Sequence, residues 1–132
     1  MVPQRPGARQ QAVTPYDRGR MDASEKAPPT SSYAVVLTTV ASRQDAREMA
    51  ERLLARRLAA CVQMLAIDSL YTWKGEVAAE NEVLLLVKTR GELYPELEKA
   101  IVSAHKYETP EILLLPVAKG VPAYLRWIDE VT

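Results

Sequence analysis

The sequence predicts an α+β fold in the order β-α-β-β-α-β with a short helix to close it. Three observations predict it. Four short runs of apolar and branched residues, over 33–40, 60–67, 82–89 and 111–118, have strand composition and strand length. Between the first and second runs, and between the third and fourth, apolar residues recur at helical spacing beneath a charged face. No helical pattern separates the second run from the third, so those two read as the arms of one hairpin.

The first strand is Tyr33-Ala34-Val35-Val36-Leu37-Thr38-Thr39-Val40, apolar at both parities and therefore a buried strand. Ser42 with Asp45 three residues on has the form of a capping box. Behind it Ala46, Met49, Ala50, Leu53, Leu54 and Leu58 make one helical stripe, with Arg43, Arg47, Glu48, Glu51, Arg52 and Arg56 elsewhere. Ala60 to Ile67 returns to strand composition and leads into Ser69-Leu70-Tyr71-Thr72-Trp73-Lys74-Gly75-Glu76, where Tyr71 and Trp73 leave the same face of a strand. Gly75 to Asn81 reads as a wide polar turn, and Glu82 to Thr89 as the second arm.

A second helix begins at Thr89-Arg90-Gly91, with Leu93, Leu97, Ala100, Ile101 and Ala104 as its stripe. Acids crowd its start and His105-Lys106 its end, as the helix dipole favours. Thr109-Pro110 ends the helical region. Glu111 to Ala118 is the fourth strand, where Pro116 requires an edge, a bulge or a strand end. Ala123 to Val131 forms the closing helix, burying Tyr124, Leu125, Trp127 and Ile128. Residues 33–132 thus form one ferredoxin-like domain. Residues 1–32, rich in Pro, Gln, Arg, Ser and Gly, read as a disordered tail. Its arginines admit an organelle-targeting segment as the alternative.

Two helices cover one face of such a sheet. On the other face a monomer shows polar alternation, yet these strands are apolar at both parities. The expectation is a homo-oligomer that buries the second face between subunits.

Seventeen basic and seventeen acidic residues cancel, so no basic field exists for nucleic acid. No apolar stretch reaches the roughly 20 residues of a membrane-spanning helix. A single cysteine, Cys61, excludes an intrachain disulfide; within an apolar strand it reads as a small core residue. No HExxH, CxxC, GxSxG, GxGxxG or phosphate-loop pattern occurs, and no catalytic residues are assigned.

His105 is the only histidine. It either binds a metal or moves a proton with Glu108 and Glu111 near it in sequence, or caps the second helix. Tyr71, Trp73, Lys74 and Lys88 are candidate lining for a small-ligand cleft between subunits.

Five blocks carry a resemblance: Ala59-Ala60-Cys61-Val62, Ser69 to Gly75, Glu82 to Thr89, His105-Lys106-Tyr107-Glu108-Thr109-Pro110-Glu111-Ile112, and Tyr124-Leu125-Arg126-Trp127-Ile128. Together, and in this order, they resemble the CutA divalent-cation tolerance family. The resemblance implies a ferredoxin-like subunit in a homotrimer, a role in metal response, some copper binding, and no defined catalytic activity. The family's His-Pro-Tyr-Glu reads His105-Lys106-Tyr107-Glu108 here. Copper ligands attributed to some bacterial relatives fall on Thr38, Ala104 and Glu111, of which only Glu111 is a strong donor, with His105 as an adjacent substitute. A soft-metal site needs thiolate or imidazole, so the expectation is weak binding of copper or another divalent cation by His105, Glu111 and Glu108. The protein is then a cytoplasmic metal-response protein and not an enzyme, whose partners are itself and the metal ion. The rival reading is a trimeric sensor, similar to PII-type signal proteins, holding its ligand in the intersubunit cleft.

Overall fold

The computed structural model describes residues 32–132; the tail expected over 1–32 lies outside them except for Ser32. The elements are β1 (Tyr33–Val40), α1 (Arg43–Ala55), β2 (Cys61–Trp73), β3 (Glu76–Arg90), a single 3-10 turn (Gly91–Leu93), α2 (Tyr94–Ala104), β4 (Ile112–Pro116) and α3 (Pro122–Val131). They form one antiparallel sheet in the order β2-β3-β1-β4. The β-α-β-β-α-β order with a closing helix is as the sequence predicts.

Ser42 caps α1, its hydroxyl accepting the Asp45 N–H at 3.1 Å. The helix ends in a Schellman motif. Leu58 N–H reaches Leu53 O and Arg57 N–H reaches Leu54 O, both at 3.0 Å, with Arg57 left-handed at φ 57°. This turn folds Leu58 back onto Leu53, and both are buried. Leu58 is therefore a core residue beyond the helix, while Leu54, expected in the stripe, is 43% exposed.

The hairpin departs from the expected wide turn. Its loop is Lys74-Gly75 alone, both at positive φ (49° and 78°), the two-residue form whose twist matches that of the strands. Glu76 to Asn81 is strand, paired from Trp73↔Glu76 through Asp68↔Asn81. Pairing with β1 begins only at Val83↔Val40, so the outer hairpin is a two-stranded arm projecting beyond the sheet. Strand β3 also runs on to Arg90, which the sequence placed at the start of the second helix.

Register sorts the faces. Val36, Val40, Val83, Leu85 and Val87 point toward α1 and α2 and join Met49, Leu53, Leu97 and Ile101 in the core. Beneath the helices Thr89 Oγ1 donates to Leu58 O at 2.7 Å, a buried bond fixing the α1–β2 connection to β3. Leu113, Leu37 and Leu86 form a row on the opposite face, with Leu115 and Val35 beside it on one side and Leu84 and Leu65 on the other. Leu65, Leu113 and Leu115 are 56%, 53% and 47% exposed. Cys61 opposes Lys88 on this open face and is half-buried, not the core residue expected.

Helix α3 covers only one end of the open face. The Tyr33 hydroxyl donates to Asp129 Oδ2 at 2.6 Å and Arg90 Nε to Thr132 Oγ1 at 2.9 Å. Ile128 is buried, whereas Tyr124 and Trp127, expected to be buried, remain exposed. Pro116 ends β4 on the sheet edge, as its missing N–H requires.

Candidate functional site

The segment after α2 returns to the sheet where the hairpin arm departs from it. Residue His105 closes the helix in extended conformation, and its ring turns toward β1. Nε2 meets the Thr39 carbonyl at 2.8 Å, and Nδ1 accepts the Tyr107 N–H at 3.1 Å. An acceptor role at Nδ1 and a carbonyl at Nε2 together define a neutral imidazole protonated at Nε2. The ring thus pins the loop to β1 and does not cap the α2 carbonyls. Tyr107 stacks against it at 4.7 Å between ring centres.

Tyr107 is 6% exposed and donates its hydroxyl to Glu82 Oε2 at 3.1 Å; Glu82 is 3% exposed. Burying a carboxylate is costly without donors, so this bond fixes where the loop sits against β3. Further out on the arm, Tyr71 donates to Glu80 Oε1 at 2.8 Å.

A small open cleft, with about 50 Å³ of enclosed space, lies beside His105. One wall is a single stripe of α1: Asp45, Glu48, Met49 and Arg52. The other is the segment after α2, with Lys106 and Tyr107. A 2.7 Å ion pair between Lys106 Nζ and Asp45 Oδ1 bridges the two walls, and Asp45 raises the Lys106 pKa, chiefly through that bond. The sequence reading missed this wall, taking Asp45 only as part of the Ser42 capping box and Glu48 and Arg52 only as solvated helix charges. Their i, i+3, i+7 spacing was the available signal.

Of the expected metal donors, His105 has both ring nitrogens engaged within the chain, Glu108 is exposed, and Glu111 is half-buried just before β4. Among the described residues no group of three or more His, Cys, Asp or Glu is arranged to hold a metal ion. The residues expected to line a ligand cleft are split. Tyr71 and Trp73 pair with Ala78 and Glu76 near the arm's tip, beside Lys74, whose ammonium lies 5.2 Å from the Trp73 ring centre. Lys88 pairs with Cys61 at the other end of the hairpin, roughly 35–45 Å away at about 3.4 Å per residue. It donates to Gln63 Oε1 at 2.6 Å. No cleft of one protomer contains all four.

The antiparallel order β2-β3-β1-β4 with α1 and α2 on one face defines a ferredoxin-like α+β protein. Comparison with known proteins goes further. Residues 34–131 match the family model described as CutA1 divalent ion tolerance protein. The chain is 46% identical over 99 residues to the divalent-cation tolerance protein CutA of Thermus thermophilus, covering 74% of this chain and 96% of that one. It is 39% identical over 102 residues to Protein CutA of Mus musculus, covering 76% of this chain but only 58% of the mouse protein. The structure of the periplasmic divalent cation tolerance protein CutA from Archaeoglobus fulgidus superposes with a TM-score of 0.74 at 36% identity, over 75% of this chain and 97% of that one. The chain belongs to the CutA1 divalent ion tolerance family. That family is described by tolerance of ions and not by a reaction, and its Archaeoglobus member is called periplasmic, so membership by itself fixes no compartment. No described helix is long and apolar enough to cross a membrane.

Proposed function

We propose that this chain is a divalent-cation tolerance protein that works as a cytoplasmic homotrimer, binds copper or another divalent cation weakly, and catalyses no reaction. The observation that carries the reading is the match to divalent-cation tolerance proteins along residues 34–131. The rival sensor reading receives no support from the comparisons.

The trimer is supported by the row Leu113, Leu37, Leu86 on the open face and by the projecting arm. A two-stranded ribbon is marginal alone in water, and Val77 and Leu70 on the arm are 76% and 74% exposed. Both features lose their cost once other subunits cover them.

His105, Glu111 and Glu108 are the proposed donors. Because His105 is held as a neutral imidazole, its ligation needs no proton released from the ring, but it does require one ring nitrogen to leave its present partner. That exchange makes the proposed affinity modest. The remaining donors would come from a neighbouring subunit. Calorimetric titration with Cu(II), using Zn(II) as the comparison, tests this: saturable copper binding that weakens in His105→Ala and Glu111→Gln supports the site, and unchanged affinity in both removes these residues from it.

A further inference from the structure

We propose that the cleft between α1 and the segment after α2 is a binding site for a small zwitterion with an apolar body, of the chemical class of an aliphatic amino acid. Its walls carry both charge signs above an apolar floor. Val40 and Met49, each 4% exposed, form that floor with Ala104 beside them. At one end the Asp45–Lys106 pair joins the walls and neutralises its own charges.

Glu48 and Arg52 are the charges left over. They stand one turn apart on α1, with Cβ atoms about 6 Å from each other. Among the described residues Arg52 forms no ion pair, and the hydrogen bond Glu48 accepts comes from the neutral Gln44 amide, at 3.3 Å. The guanidinium offers a fork suited to a carboxylate. Glu48 suits an ammonium. The far wall adds to this, since the last turn of α2 has no basic residue and its carbonyl end carries partial negative charge. A simple anion would meet Asp45 and Glu48, and a simple cation would meet Arg52 and Lys106. A molecule with both charges and a short apolar side chain satisfies all three surfaces. The cleft lies on the helical side of the sheet, away from the open apolar face.

Met49 supplies the reporter. The full-length protein, with isotope-labelled methionine methyls and with chelator present to exclude metal effects, is titrated with L-leucine, with isocaproate, which lacks the ammonium, and with isoamylamine, which lacks the carboxylate. The expected result is a saturable shift of the Met49 methyl signal with L-leucine, at least about tenfold weaker binding of the two single-charge analogues, and at least about tenfold weaker L-leucine binding in Arg52→Gln and in Glu48→Gln. Both positions are exposed, and unchanged thermal midpoints will show that the variants fold. No saturable Met49 shift, binding indifferent to both substitutions, or isocaproate binding as tightly as L-leucine would each overturn the proposal.

Discussion

His105 and Thr39 are joined by a 2.8 Å hydrogen bond from the imidazole to the main-chain carbonyl, across 66 residues of sequence. With the Tyr107 N–H on the other ring nitrogen, this bond locks the loop after α2 to the end of β1. Replacement by alanine removes both bonds. His105→Ala should lower unfolding free energy by about 1–3 kcal/mol, read from denaturant unfolding at fixed subunit concentration.

Tyr107→Phe isolates the second fastening of the same loop. The ring packing is retained, but Glu82, 3% exposed, loses the hydroxyl it accepts from. A bond to a charged group in such a place is worth about 1.5–3 kcal/mol. The variant should unfold earlier by that amount, whereas a loss under half a kcal/mol would show that solvent replaces the hydroxyl.

The hairpin tip allows a test of backbone alone. Gly75 sits at φ +78°, and a Cβ placed there would meet nothing within 4 Å. Gly75→Ala therefore costs only left-handed strain, about 1 kcal/mol, visible as a lowered thermal midpoint with no change in assembly.

Alkali should weaken the fold. Burial, then a bond to Glu98, pushes the Tyr94 pKa from 10.0 to about 12. The bond to Asp129 raises that of Tyr33, and the bond to Asp45 raises that of Lys106. All three groups hold their protons more tightly folded than unfolded. Their contribution is complete below about pH 10 and is lost as pH climbs through the raised values, toward about 12 for Tyr94. Stability measured from pH 9 to 12 should fall, and the fall should be shallower in Tyr94→Phe.

Most of the fold was legible because its core obeys simple periods. The Ser42 cap, the α1 stripe and the apolar strands each stated their element locally. What failed depended on partners far away in sequence. Glu76 to Asn81 has the composition of a turn and becomes strand only by pairing with Asp68 to Trp73; the sign of the tight turn was Gly75 directly after Lys74. Arg57 takes the left-handed position usual for glycine, so the end of α1 carried no glycine marker. Tyr124 and Trp127 were expected inside by residue type, yet α3 buries only Ile128 fully within the chain. The site was less legible. His105 stood out as the lone imidazole, but its bond to Thr39 and the convergence of Asp45, Glu48 and Arg52 on the cleft arise from tertiary packing that no local pattern states.

The central claim is that the open sheet face, with Leu65, Leu113 and Leu115 about half exposed in a single chain, is covered by further copies of the same chain. Light scattering coupled to size exclusion, on the full-length protein at micromolar concentration, tests it directly. The account predicts a single species of three times the 14.7 kDa chain mass, reduced to smaller species by Leu65→Glu. A wild-type mass of one chain would contradict it.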